Sequence, residues 1–368
     1  MKILHVYKIY LPDDFTGVPR VIHGLAEAHA ARGVDVRVFA PARDPSATPR
    51  PVGRHHVVQV QRSAAIASTD FSFAAFRAYG DAVRAADILH YHFPWPVGDL
   101  LHFAHGRGKP AVVTYHSDIV RQRALRRAYA PLMHAFLSRL DGIVATSPNY
   151  AETSPVLVRH RDRVSVIPIG IADRTAPDPA ALAAWRQRVG EGFFLFVGAL
   201  RYYKGLDFLI EAARLSGLPV VIAGNNAHGE LDVTGLPPNV TYLGAVDEAD
   251  KEALLTLCRA FVLPSHLRSE AFGVALLEAA RAGRAMVSCE VGTGTSYVNV
   301  DGETGRVVPP ATPAALAGAM AELAADPALA ARMGAAARAR YEQRFTDDAM
   351  ASAYLDLYAA VLAKRGKA

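Results

Sequence analysis

Short apolar runs, each the length of one strand, alternate along this chain with segments whose apolar residues recur every three or four positions. That alternation constrains the fold more than any single residue does. In the first forty residues, ILHVY is an apolar run and KIYLPDDFTG is a loop carrying Pro12 and Gly17. Residues 18–32 then show helical spacing through Val18, Ile22, Leu25, Ala26 and His29, Gly33 supplies the stop, and VDVRVFA is the next run. Strand, loop, helix and strand in this order make a crossover unit, and such units build parallel sheets with helices on their faces.

The unit repeats. Strands are expected at HVVQV, DILHYH, AVVTYH, DGIVATS and VSVIPIG, with Ser72 and Ser147 as helix caps. After VIPIGI the chain turns polar and Pro-bearing (ADRTAPDPAALAAW), which puts a domain boundary near Gly170. The alternation restarts with strands at FFLFVG, PVVIAG, VTYLG, AFVLPS, RAMVS and GRVVPP, and helices at Leu206–Ser216, Asp247–Cys258 and 314–325. An amphipathic segment, DDAMASAYLDLYAAVLAKRGKA, ends the chain. The expectation is an α/β protein of two doubly wound parallel-sheet domains, 1–169 and 170–345, with ligands at the carboxyl ends of the strands in a cleft between them. The 368 residues suffice for two domains of roughly 150 each.

Several classes are excluded at this level. The net charge of +5 is too mild for a nucleic-acid binder, and no basic surface interleaved with aromatics occurs. It suits anionic small molecules or an anionic membrane surface. Cys258 and Cys289 form no metal or redox motif, which fits a reducing, cytoplasmic setting. MKILHVYKIY has too short an apolar run for a signal peptide, and no run approaches the ~20 residues of a membrane span. No G-x-G-x-x-G occurs, and GRGKP at Gly106 is no Walker loop, so neither an NAD enzyme nor an ATPase is favoured.

The stretch RSEAFGVALLEAA, residues 268–280, carries the chemistry. A helix starting near Phe272 offers free amides at 272–275, an anion site, and Gly273 admits a ligand close to the backbone. Glu278 lies a turn further along among apolar neighbours, and a buried carboxylate needs donors such as sugar hydroxyls. Glu270 sits in the loop facing the same amides. A phosphate flanked by polyols, as in a nucleotide-diphosphate sugar, fits this pattern. By spacing alone, a half-exposed helix glutamate and a surface charge fit it equally well. In VGALRYYKG, Arg201 and Lys204 follow a strand and suit the charge that builds on a departing diphosphate, or else form a solvated basic loop. Gly17 precedes a helix and brings its amides towards a phosphate. His116 and Asp118 follow the strand AVVTY, where His116 can bond a sugar hydroxyl or meet developing charge, though a lone His is more often structural. His90 and His92 have H-x-H spacing without a further ligand cluster, and no D-x-D pair occurs, so no metal is assigned. Arg121, Arg123, Arg126 and Arg127 crowd a helix whose apolar side runs through Leu125, Tyr129, Leu132, Met133, Phe136 and Leu140. Such a helix can lie on anionic lipid or pack on a core, and Pro131 is a candidate break.

Taken together, E-A-F-G-V-A-L-L-E, the Gly17 loop, VIPIGI, VGALRYYKGLDFLIEA, VTYLG, AFVLPS and VDGETGRVVPP resemble the retaining glycosyltransferases of family 4, over nearly the whole chain. HLRSEAFGVALLEAA with GTGTSYVN looks closest to the mannosyltransferase-like members that build bacterial surface polysaccharides. The resemblance implies the GT-B fold of two Rossmann-like domains, an amino-terminal acceptor domain and a carboxy-terminal donor domain, with the helix 346–368 crossing back to the first. It implies that Glu278 binds ribose hydroxyls and that Glu270 contacts the donor sugar. Phe272, Gly273 and Val274 would offer amides to sugar and phosphate, and Arg201 and Lys204 would hold the diphosphate. Gly17 would close on the distal phosphate, His116 would face the transferred sugar, and the backbone around Leu243 would meet the base. Two departures stand: Thr16 takes the place of a first glycine before Gly17, and AGNNAHGEL replaces an acidic, Gly-rich turn. The expected activity is retaining, metal-independent transfer of a hexose, mannose from GDP-mannose as the preferred donor, with no cofactor. The acceptor would be a saccharide on a polyprenyl diphosphate, with peripheral contact to the inner membrane. A UDP-sugar or GDP-deoxyhexose donor, and a nucleotide-sugar 2-epimerase of the same fold, are the alternatives.

Overall fold

The computed structural model describes residues 1–62, 64–66, 69–71, 73–119, 123–174, 176–227 and 229–366. Ser72 and Arg121, named above, lie outside them. The chain divides into two compact units, Met1–Ala172 with Asp347–Ala368, and Asp173–Thr346. The crossing falls three residues beyond Gly170 for a visible reason. Ile167 donates to the Ala145 carbonyl at 3.0 Å, and Ile171 accepts from the Asp347 amide at 3.1 Å, which ties the segment to the first unit. Asp173 instead pairs with Arg338 at 2.7 Å in the second.

The first unit holds β1 (Lys2–Val6), β2 (Asp35–Ala42), β3 (Arg50–Val52), β4 (His55–Gln61), a separate hairpin of β5 (Ala64–Ile66) and β6 (Thr69–Phe71), then β7 (Ile88–Phe93), β8 (Ala111–Tyr115), β9 (Gly142–Ala145) and β10 (Val164–Val166). The main sheet runs β10-β9-β8-β7-β1-β2-β4-β3, parallel throughout except for the edge pair β3–β4. The chain leaves β1 to one side for β2 and returns on the other for β7, so the order reverses between β1 and β7. Strands β7, β8 and β9 are buried along their whole length, which is why their sequences are continuous apolar runs rather than alternating ones. The terminal helix Asp347–Gly366 lays Met350, Ala351, Tyr354, Tyr358 and Val361 against Ile3, Leu25, Ile88, Val112 and Val144. Each such large apolar side chain contributes about 1.5–3 kcal/mol on burial. The helix Arg123–Leu137 continues through Pro131. Its Tyr129, Met133 and Phe136 are buried, so the stripe read as amphipathic is used on the core.

The second unit holds β11 (Phe194–Val197), β12 (Val220–Ala223), β13 (Val240–Tyr242), β14 (Ala260–Leu263), β15 (Ala285–Cys289) and β16 (Gly305–Val308), in the order β13-β12-β11-β14-β15-β16, all parallel. Here the order reverses between β11 and β14. The stretch read as a polar linker contains the helix Pro179–Val189, capped by Asp178, whose carboxylate accepts from the amides of Ala180 and Ala181 at 3.3 Å. Trp185 of that helix donates to Asp250 at 2.7 Å. Ser147 caps the helix Pro148–Thr153 through the Tyr150 amide, as its position implied. Among the described residues no single helix is long and apolar enough to cross a membrane.

Candidate functional site

In a doubly wound sheet the loops leaving two strands on either side of the reversal diverge, and the gap they leave is where ligands bind. In the second unit those are the loops after β11 and β14. The first makes a single 3₁₀ turn, Tyr202–Lys204, before Gly205 opens the helix Leu206–Ser216. The second carries Ser265 and Glu270. Lys204 and Glu270, 66 positions apart in the chain, meet here as a buried ion pair. Ser265 donates to the same Glu270 carboxylate at 3.1 Å, and Thr293 donates to the Glu270 carbonyl at 2.6 Å. Burial works to lower the pKa of Lys204, but the Glu270 carboxylate beside it outweighs this, so the amine is held above its ordinary value. The field of Glu278 adds in the same direction. Arg201, read from the sequence as the partner of Lys204, is exposed and forms no ion pair with a described residue.

Glu278 is 8% exposed, on the inner side of the helix Val274–Arg281. The sequence named no protein donor for it. The structure supplies Lys251, 5% exposed, with Nζ 2.7 Å from Glu278 and 2.9 Å from Glu248. The signal was present. Lys251, Leu254, Leu255 and Cys258 share one side of the helix Glu248–Leu257, and the other three are buried apolar residues. A lysine on such a stripe needs a buried carboxylate.

Between the two glutamates the helix starts at Val274, two residues later than expected, with Gly273 as its cap at φ +85°. The Leu276 amide bonds to the Gly273 carbonyl at 2.8 Å, which leaves the amides of Gly273, Val274 and Ala275 facing out of the first turn. A Cβ on Gly273 would lie 3.0 Å from Leu276 Cδ1, so both the backbone angle and the space require glycine. Phe272 is buried. Leu243 lies just beyond β13, where its amide is committed to the Ile222 carbonyl at 2.9 Å; only its carbonyl remains for a ligand.

In the first unit, Gly17 caps the helix Val18–Ala31 at φ +55° and is exposed, with no side chain on the open amides. Asp14 accepts from both the amide and the hydroxyl of Thr16 at 2.7 Å, which shapes the loop ahead of it. His116 follows β8 and is 7% exposed. Its Nε2 is 2.9 Å from His92 Nδ1, and His92 Nε2 is 3.0 Å from His5 Nδ1. Asp118 is occupied by Tyr115 at 3.0 Å and Ser154 at 2.7 Å. Burial drives the His116 pKa down to about 3, so the ring is neutral and can offer a dipole but not a positive charge. The H-x-H pair gains a third neighbour in the fold, because parallel register sets His5 opposite His90. One ring nitrogen from each of His5, His90 and His92 lies within 4.8 Å of the other two. His90 is bonded to Tyr358 at 2.6 Å and to Thr114 at 2.7 Å, so His5 Nε2 is the single uncommitted nitrogen of the three. Three are needed for a zinc site.

Two family models match the chain: Glycosyltransferase Family 4 over residues 15–174, and Glycosyl transferases group 1 over residues 180–340. The D-rhamnosyltransferase WbpZ of Pseudomonas aeruginosa is 48% identical over 94% of this chain and 92% of its own. The chain belongs to the family 4 glycosyltransferases. A second relative, O-antigen chain mannosyltransferase C of Escherichia coli, is 44% identical over 98% of this chain and 99% of its own. The fold of this glycosyltransferase is GT-B, two parallel-sheet α/β units. It matches the sucrose-phosphate synthase of Thermosynechococcus elongatus with a TM-score of 0.79 at 22% identity, over 99% of both chains. It matches Anabaena HepE, solved with UDP and glucose, with a TM-score of 0.74 at 18% identity, over 98% of this chain and 100% of the other.

Proposed function

We propose that this glycosyltransferase transfers mannose from GDP-mannose, with retention and without a metal ion, onto a saccharide carried on a polyprenyl diphosphate, in O-antigen or related surface polysaccharide synthesis. The observation that carries the reading is the Lys204–Glu270 pair beside the open amides of Gly273–Ala275. Glu270 takes sugar hydroxyls, the amides and Arg201 take the diphosphate, and Glu278, oriented by Lys251, takes the ribose. Gly17 meets the distal phosphate and His116 the transferred sugar. The backbone carbonyl at Leu243 meets the base. In the reaction the anomeric carbon loses its bond to the diphosphate and gains one to the acceptor oxygen on the same face. The departing diphosphate takes the acceptor's proton. A second reading, a GDP-6-deoxyhexose donor, is favoured by the D-rhamnosyltransferase relative; D-rhamnose is mannose without the C6 hydroxyl.

Thermal melting of the purified protein with GDP, UDP or ADP tests the site. A nucleotide at ~100 times its dissociation constant adds about 2.7 kcal/mol of stability. A GDP-selective shift that disappears in Glu278→Ala supports the donor, and a UDP-selective shift refutes it. Transfer from GDP-mannose and GDP-rhamnose to a polyprenyl-diphosphate oligosaccharide then separates the two sugars. Proton NMR of the product reads retention, and activity in EDTA reads metal independence.

A further inference from the structure

The histidine chain does more than fill the core. His5, His92 and His116 are carried by β1, by β7 and by the loop immediately after β8, three neighbouring strands of one parallel sheet. Their rings stack at 5.3 Å and 5.2 Å. All three are neutral, because burial lowers each pKa. A neutral imidazole has one N–H and one bare nitrogen. Each of the two N···N contacts holds one proton, so His92 must donate at one nitrogen and accept at the other. The three tautomers are therefore locked together, and only two arrangements exist. In one, His5 Nδ1 donates to His92 Nε2, His92 Nδ1 donates to His116 Nε2, and His116 Nδ1 carries an outward-facing proton. In the other, every proton is reversed and His116 Nδ1 is bare.

The far end of the chain decides between them. His5 Nε2 is buried and has no partner. The reversed arrangement puts a proton there, making an orphaned buried N–H, the rarer and costlier defect. The first leaves a bare nitrogen. The same unit already accepts a bare nitrogen at His29: its Nε2 is 3.0 Å from the Ala351 carbonyl and must carry the proton, so Nδ1, buried and unpartnered, is bare. His116 Nδ1 has no partner among the described residues and, unlike His5 Nε2, is not enclosed.

We propose that His5 and His92 are positioning residues that hold His116 in the tautomer whose Nδ1–H donates outward, so that His116 gives a hydrogen bond to an oxygen of the reacting sugars and does not serve as a base. This rests on the assignment of His116 to the transferred sugar, and the two are tested separately.

Nitrogen-15 NMR of the full-length protein with labelled histidine reads which ring nitrogens are protonated, and His116→Ala assigns the His116 signals. The wild type should show His116 protonated at Nδ1 and bare at Nε2. In His92→Phe, and two rings away in His5→Phe, the His116 signals should move to the averaged shifts of a ring sampling both tautomers. In both variants kcat for GDP release from GDP-mannose, with a polyprenyl-diphosphate oligosaccharide, should fall roughly twofold or more, by the fraction of rings left in the donating tautomer, with KM for the donor unchanged. His5→Asn, whose amide restores a donor near the Nδ1 position, should recover both the shifts and kcat. A bare Nδ1 on His116 in the wild type, or His116 shifts unchanged in His92→Phe, overturns the lock, and the wild-type spectrum decides even where His92→Phe or His5→Phe fails to fold. Full kcat in folded His116→Ala overturns the role at the sugar.

Discussion

Replacing Lys251 with methionine keeps most of the side-chain volume and removes the cation. The two side chains of the Lys251–Glu278 pair are 6% and 10% exposed, so solvent cannot take over the role of the lost partner. Glu248, at 62% exposed, is rehydrated at little cost. Breaking a buried pair from one side costs about 3–5 kcal/mol, because the remaining charge stays desolvated after losing that partner. The variant should therefore lose about 3–4 kcal/mol of stability against wild type.

The chain has two tryptophans, Trp95 in the first unit and Trp185 in the second. Trp185 is bonded to Asp250, the residue before Lys251. In a Trp95→Phe background, urea titration followed by Trp185 fluorescence thus reports the unfolding of the unit that carries the pair. The double variant Lys251→Met with Glu278→Gln should recover most of the loss, since neither partner then leaves a buried charge. A deficit under about 1 kcal/mol, or a double variant as costly as both singles together, would show that Lys251 is not what holds the Glu278 carboxylate in place.

Gly273→Ala forces φ +85° on a residue with a Cβ, costing about 1–2 kcal/mol, and pushes on Leu276. Donor binding by calorimetry should weaken while far-ultraviolet circular dichroism stays unchanged. Tyr358→Phe leaves His90 Nδ1 without its 2.6 Å partner, and about 1–3 kcal/mol should be lost in urea titration of the first unit. Arg201→Ala should weaken GDP binding with the melting temperature unchanged, whereas Lys204→Met should lower both. The raised pKa of Lys204 contributes stability that is present below the unfolded value, about 10.4, and is lost as pH rises through the folded value, so the wild type should lose its margin over Lys204→Met in alkaline melts.

The sheet strands were legible because parallel strands buried on both faces write continuous apolar runs, and β7, β8 and β14 are such runs. β3, three residues on an antiparallel edge, and the hairpin of β5 and β6 are too short to carry a period. The helix Pro179–Val189 was missed because its prolines and Asp178 read as a linker, although Asp-Pro is also how a capped helix begins. At the site, Glu270, Glu278, Gly273 and Lys204 stood out singly. That Lys204 and Glu270 form one pair was not legible, since only the reversal of strand order joins loops 66 residues apart. Lys251 was legible and overlooked. His5 was invisible in principle: nothing near ILHVY connects it to His92 or His116, and only the register of β1 against β7 does so.

The groups buried near the carboxyl ends of the central strands differ between the two units, and the contrast follows from what each is proposed to hold. At the carboxyl ends of β11 and β14, Glu270 and Glu278 each have a lysine. A diphosphate arriving there adds negative charge, and an unpaired carboxylate beside it would repel it by an amount that low dielectric magnifies. Lys204 is thus committed to Glu270 before any ligand binds, and the open amides with exposed Arg201 are what remains to receive the phosphates. In the first unit the histidines buried on β1, on β7 and just after β8 have no carboxylate among their hydrogen-bond partners. Protonating them would place cations on rings 4.3–5.3 Å apart, so burial and mutual proximity both hold them neutral. A sugar hydroxyl, itself neutral, is recognised by the direction of a hydrogen bond rather than by charge. Direction is what a chain of neutral rings fixes, provided that each ring's tautomer is set by the next.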